Sequence, residues 1–301
     1  MTRALLVLVM LTSTASAGPD DFVQRLLAET RARIDAAIAA RPPVLVPPKK
    51  IAVKWRLTKV ASIDLGAPLL TLAGGNGKLY AVTPREVVAL GLQGKKLVEL
   101  ARVALVGERA IPAPRDILAS AIVNGETLVV HVSSFATSTS VSWVDKALVA
   151  TPGTAGFELC PGVTMQLTPG RNYFGDVYTS RCASLVDAEG RALRVRGDVS
   201  VVNKLTVTSG AQTFEYKDAG VAIELADVDH DGTPEVIYSA AAAPGDADTL
   251  RVLSLGDDEK KPKLKKAFTA GGIAGIATVN GEVFVAVRLV GATRVDLWRI
   301  E

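Results

Sequence analysis

Four turn dipeptides constrain this chain more than any other feature: Asn76-Gly77, Asn124-Gly125, Asp231-Gly232 and Asn280-Gly281. Each stands between two short runs rich in Val, Leu, Ile and Thr. That is the pattern of a tight β-hairpin, since Asn, Asp and Gly tolerate the positive φ that such turns demand. The dipeptides recur at intervals of roughly fifty residues, close to the length of a propeller blade, apart from one gap about twice as long. The Pro169-Gly-Arg-Asn172 turn is expected to fill that gap, with residues 163–168 as the strand before it. Five similar units are therefore predicted from residue 51 onward.

The first unit indicates the content of the others. Residues 69–73, 78–82, 86–90 and 97–101 form successive apolar runs, which predicts a four-stranded blade with its first strand innermost. The last unit starts at Gly272 and stops one strand short of that pattern. Residues 55–66 resemble the outer strands of other units, and are expected to complete the last blade and close the ring. Closure removes the open edges of an unfinished array. The predicted fold class is all-β, a five-bladed β-propeller preceded by one helix; a β-sandwich of the same strands is the alternative.

Residues 1–17 have the features of a secretory signal: Arg3 as positive flank, an apolar run at residues 4–11, and Ala15-Ser-Ala17 for cleavage. The run is too short to span a bilayer, and no later stretch is long and uncharged enough to do so. An exported protein without a transmembrane segment is expected, whether periplasmic, cell-surface or extracellular. Residues 18–50 should hold an amphipathic helix, with Asp20 as cap and Phe22, Leu26, Ile34 and Ile38 at helical spacing. An extended Pro42-Pro-Val-Leu-Val-Pro-Pro48 linker follows, and the propeller is expected over residues 51–301. A formal net charge of +3 argues against nucleic acid as a main partner. Aromatic residues, at 5%, are too sparse for a sugar-stacking platform, whereas an apolar content of 49% is ample for a core. The acidic Asp257-Asp-Glu259 and the basic residues 260–266 suggest a solvated loop and an edge strand protected by lysines.

Cys160 and Cys182 are the whole thiol inventory, and an even count in an exported chain suggests one disulfide. A hairpin centred on Arg171 would place the two opposite each other.

The strongest chemical signal is Asp227-Val-Asp-His-Asp-Gly-Thr-Pro-Glu235. Calcium takes six to eight oxygens, and alternating acids at Asp227, Asp229 and Asp231 can turn three carboxylates inward. Gly232 permits the sharp turn, the Thr233 carbonyl can supply another oxygen, and Glu235 can reach the ion directly or through water. Magnesium fits less well because it keeps more water in a stricter octahedron. Zinc lacks ligands, since His230 lies on the opposite side of an extended loop and His131 is remote in sequence. A helix-loop-helix calcium hand would need an acid where Tyr238 stands. Residues 221–244, including the Ala243-Pro244 ending, instead resemble the FG-GAP/VCBS repeat of integrin-α-like and secreted bacterial propellers. That resemblance implies a Ca2+-bearing blade. Glu235 replaces the repeat's usual Asp, and only one unit keeps the motif.

Enzymatic signatures are few. A glycosidase-like five-bladed propeller needs at least two carboxylates converging on its channel. The expected inner strands at residues 117–123, 163–168 and 273–279 carry none, and only Glu224 is acidic on an inner strand. There is no Gly-x-Ser-x-Gly elbow, and Gly74-Gly-Asn-Gly77 precedes a strand, so it is a hairpin turn and not a phosphate loop. The expected function is a non-catalytic, calcium-stabilised binding or scaffold module with a protein or glycan partner at the cell exterior. The alternative is a divergent secreted hydrolase whose acids come from loops.

Overall fold

The computed structural model describes residues 19–39, 45–94, 96–109, 117–154, 156–160, 163–166, 177–242, 247–269, 271–288 and 292–301. The signal segment and the Ala243-Pro244 pair lie outside them. The chain divides into two units, Met1–Val44 and Leu45–Glu301. The first contains helix α1 (Pro19–Ala39). It begins at Pro19, so Asp20 is not the cap but lies in the first turn. Proline's fixed φ suits the first helical position, and the helix dipole favours an acid just after it. Val23, Leu26 and Leu27 on this helix are about half exposed.

The second unit is a ring of five antiparallel four-stranded sheets. Strand β1 (Leu57–Asp64) comes first, followed by blade 1: β2 (Thr71–Gly75), β3 (Lys78–Val82), β4 (Glu86–Gln93) and β5 (Lys96–Ala104). Blade 2 is β6 (Ala119–Asn124), β7 (Thr127–Val132), β8 (Thr139–Val144) and β9 (Ala147–Pro152). A separate hairpin of β10 (Gly156–Cys160) and β11 (Val163–Gln166) intervenes. Blade 3 is β12 (Val177–Val186), β13 (Ala192–Ser200), β14 (Leu205–Ser209) and β15 (Gln212–Tyr216). Blade 4 is β16 (Ala219–Ala226), β17 (Glu235–Ala240), β18 (Asp248–Ser254) and β19 (Leu264–Phe268). Blade 5 contains β20 (Gly272–Val279), β21 (Glu282–Arg288) and β22 (Arg294–Ile300), and β1 completes it. The five first strands neighbour one another around the axis, with β20 returning to β2.

Ring closure follows the expected route. Strand β1 pairs antiparallel with β22 from Leu57↔Ile300 to Asp64↔Arg294. Beyond it, Arg56 and Glu301 exchange backbone hydrogen bonds of 3.0 and 2.9 Å. Side chains alternate across each strand, so a blade buries both faces and its central strands are apolar throughout. In β3, Leu79 and Ala81 join a core shared with blade 5, while Tyr80 and Val82 join one shared with blade 2. Two further cores join blade 4 to blades 5 and 3.

The Asn76-Gly77 and Asn280-Gly281 turns are two-residue hairpins with both φ angles positive. The third blade corrects the sequence reading. Strand β11 pairs back onto β10, and the inner strand of blade 3 is β12, not residues 163–168. The hairpin of blade 3 is therefore the loop at residues 187–191, where the Asp187 carboxylate accepts the amides of Glu189 and Arg191 and Gly190 has φ +77°. The proposed turn around Arg171 lies outside the described residues. Cys182 is on β12 and is not a free thiol; Cys160 ends β10, with its side chain outside the description.

The corrected inner strand brings Arg181 to the axis. Its Nη2 donates to the Leu72 carbonyl of blade 1 at 2.9 Å, its Nε to Ile223 of blade 4 at 3.3 Å, and its Nη1 to Ala121 of blade 2. Replacing Arg181 with Met should strand these carbonyls and cost about 3 kcal/mol. Urea unfolding of the variant against the parent checks this, and a change below about 1 kcal/mol would show the axial bonds to be dispensable.

Candidate metal centre

The acidic loop connects β16 to β17, starting one residue past the Ala226↔Glu235 pair. Val228 is buried in the core shared with blade 5 and anchors the loop there. Two residues take left-handed backbone angles, His230 at φ +57° and Gly232 at φ +85°. A side chain on Gly232 would also collide with the Ala188 backbone of the blade 3 loop, 2.3 Å from its first carbon. Glycine is therefore required there on two counts.

These turns fold the acids inward. Asp227 accepts the amides of Asp231 and Gly232, each at 3.0 Å, through its two oxygens. Asp229 accepts the Asp231 amide at 3.3 Å. Glu235, fully buried, accepts the Val228 amide at 2.7 Å. Oxygens of Asp227, Asp229 and Glu235 all lie within 4.8 Å of one another. Asp231 does not join this group: its carboxylate accepts the Thr233 amide at 2.8 Å and faces Lys50 at 3.6 Å. Thr233 itself is exposed.

Burial sets the acidities. It pushes Asp227 upward, against the amides of Gly232 and Asp231. It pushes Glu235 up to about 7, despite opposition from Lys263 and the Val228 amide. Asp231 is also burdened by desolvation, but the Thr233 amide, Lys263 and Lys50 together hold it below its ordinary value.

Lys263 is the functional residue that sequence reasoning missed. Its ammonium lies 2.7 Å from Glu235 and 3.2 Å from Asp229, and sits 4.5 Å from the centre of the Trp55 ring. Desolvation works against its charge, but the two carboxylates outweigh that and raise its pKa. The segment before β1 completes the enclosure, with the Ile51 amide donating to the Asp229 carbonyl at 2.9 Å.

The donor set fits a hard cation. It consists of carboxylate oxygens without nitrogen or sulfur, which suits calcium or magnesium and not zinc. A metal at Asp229 and Glu235 would share them with the Lys263 ammonium. His230 lines an axial cavity, and His131 lies buried on β7 with its pKa lowered to about 4 by desolvation.

No protein-family model matches the sequence, and no characterised protein matches it. Among solved structures, the chain is similar to Raptor of Chaetomium thermophilum, with 10% identity and a TM-score of 0.46 over 81% of this chain and 29% of that one. The Cps50 (Swd1) β-propeller domain of Myceliophteria thermophila is 11% identical, with a TM-score of 0.28 over 77% of this chain and 83% of that one. The PQQ-bound aldose sugar dehydrogenase of Streptomyces coelicolor is 12% identical, with a TM-score of 0.45 over 85% of this chain and all of that one.

Substituting Lys263 by Met should destabilise the protein by about 3 kcal/mol at pH 8, because an ionised buried Glu235 loses its counter-ion. The penalty should shrink toward pH 5. A carboxyl whose folded pKa is raised binds its proton more readily in the folded state, so its stabilising contribution falls as pH rises from its unfolded value toward about 7. Denaturant unfolding of both proteins at the two pH values tests this; an equal penalty at both would contradict the pairing.

Proposed function

We propose that this chain is an exported, non-catalytic binding or scaffold propeller whose fourth blade is clamped by calcium. The observation that carries this reading is the convergence of Asp227, Asp229 and Glu235 oxygens within 4.8 Å on a loop that folds its acids inward. These three residues would hold the ion, with the Thr233 carbonyl in support, while Asp231 is turned toward the Thr233 amide and Lys50. When bound, the ion would neutralise the clustered carboxylates. The residues themselves fix the hairpin: Asp227 ties down two amides, and Glu235 ties β17 back to Val228. The FG-GAP/VCBS resemblance at residues 221–244 supports the same assignment, and the partner is a protein or glycan at the cell exterior. A Cys160–Cys182 disulfide belongs to this reading, supported by Cys182 not being a free thiol.

Unfolding the protein with calcium and with chelator tests the clamp. Calcium at a hundred times its dissociation constant should add about 2.7 kcal/mol, and Asp227→Asn should remove the response. No response in the parent protein would leave Lys263 and Lys50 as the cations facing the loop and end the calcium reading.

One observation favours the hydrolase alternative: Asp227 lines the same cavity as Glu224, which places two carboxylates on the axis. Both oxygens of Asp227 are committed to backbone amides, which weighs against a role in proton transfer. Screening a glycan panel should give no turnover. Hydrolysis abolished by Glu224→Gln would overturn the non-catalytic assignment.

A further inference from the structure

Where the inner strands run into their hairpins, the axis opens into a cavity of about 400 Å³, within the range of small-molecule sites. Ala183 and Leu185 of β12 and Ala226 of β16 give it apolar walls. Arg181 bonds to the carbonyls of Leu72 and Ile223, which precede the cavity-lining Gly74 and Glu224 along the same strands, and to the carbonyl of Ala121 on β6. Its guanidinium therefore blocks the axis below the cavity, with each of its three nitrogens donating to a backbone carbonyl. Glu224 is different. It lines the cavity, and is the only carboxylate among the described residues of the five inner strands. Its carboxyl accepts the amides of Leu225, at 3.1 Å, and Thr278. Burial pushes it above the usual carboxylate range even though Arg181 opposes the shift, so a cation in the cavity would favour its ionised form.

We infer that this cavity binds a small organic ammonium ion, its head on Glu224 and its alkyl stem along Ala183, Leu185 and Ala226. A metal ion would need several oxygen ligands, and the cavity lining supplies two carboxylates, Glu224 and Asp227, the second with both oxygens already holding backbone amides. An alkylammonium carries its own apolar stem to match the walls, and its N–H donors match the Glu224 carboxylate. An anion would be repelled, and a neutral alcohol would leave the charge unmet. The site adjoins the proposed metal clamp at Asp227 but is distinct from it, since it requires Glu224 and the β12 wall and none of the Lys263 contacts.

The test is calorimetric titration of the full chain with n-pentylammonium, pentan-1-ol and hexanoate, in chelator and again in excess calcium. The ammonium should bind in the millimolar range or tighter, at least about tenfold more strongly than the alcohol or the carboxylate. Glu224→Gln should weaken it by about tenfold or more. Ala183→Phe, which fills the cavity and keeps Glu224, should abolish it, with a melting curve confirming that each variant folds. The ligand series on the unaltered protein decides the matter even if both variants misfold. Equal binding of alcohol and ammonium, no binding up to about 20 mM, or indifference to Glu224→Gln would overturn the inference. Stoichiometric displacement of the ammonium by calcium would also overturn it, by placing the ligand in the Asp227 cluster. Ammonium binding without a calcium response would sustain this site while removing the clamp.

Discussion

The Arg181 guanidinium is the contact on which the ring most depends. Each first strand of a blade has a neighbour on its outer side only, so its axial backbone groups form an unpaired edge. Buried carbonyls without donors are costly, and five such edges converge here. Arg181, from blade 3, donates to carbonyls of blades 1, 2 and 4, and its neighbour Glu224 accepts an amide from blade 5. One planar cation with a fixed fork of donors thus joins the inner strands of four blades. A lysine's single ammonium could not span three carbonyls in that way.

Blade 4 solves a different electrostatic problem. Four acids within nine residues repel one another unless opposite charge intervenes. Lys263 is carried to two of them from the far end of the same blade, just before its outermost strand, while Lys50 faces a third from the segment ahead of β1. Trp55, from that segment, lies over the Lys263 ammonium, and Ile51 bonds to the Asp229 backbone. The acidic loop is therefore held by the stretch of chain leading into the closing strand, which couples the loop of blade 4 to ring closure in blade 5.

The ring was legible because its signals are local. Asn76-Gly77 and Asn280-Gly281 dictate two-residue hairpins, and the unmatched strand at residues 57–64 had one vacant partner in β22. Blade 3 was misread because its hairpin is a five-residue loop held by the Asp187 carboxylate, which has no dipeptide signature, while an additional hairpin of β10 and β11 supplied decoy strands. That error hid Arg181. Its signal is a lone charge in the run Val-Tyr-Thr-Ser-Arg-Cys-Ala-Ser, which is informative only once the run is known to face the axis. Lys263 was hidden among the lysines at residues 260–266. Lys265 and Lys266 are exposed as an edge strand requires, and only tertiary contact separates Lys263 from them.

The acidic loop and the axial cavity meet in one short stretch whose residues alternate among different surroundings. Glu224 enters the channel, Leu225 packs toward blade 3, Ala226 and Val228 pack toward blade 5, Asp227 borders the cavity, and Asp229 meets Lys263. Strand pairing fixes this order as far as Ala226↔Glu235, and the buried Val228 extends it into the loop. Asp227 cannot swing freely between cavity and cluster, because the amides of Asp231 and Gly232 grip both its oxygens. A rigid carboxylate shared by two compartments transmits charge between them without moving. Charge gained at the loop is therefore felt at Glu224 through space, at a separation of three residues along a fixed backbone.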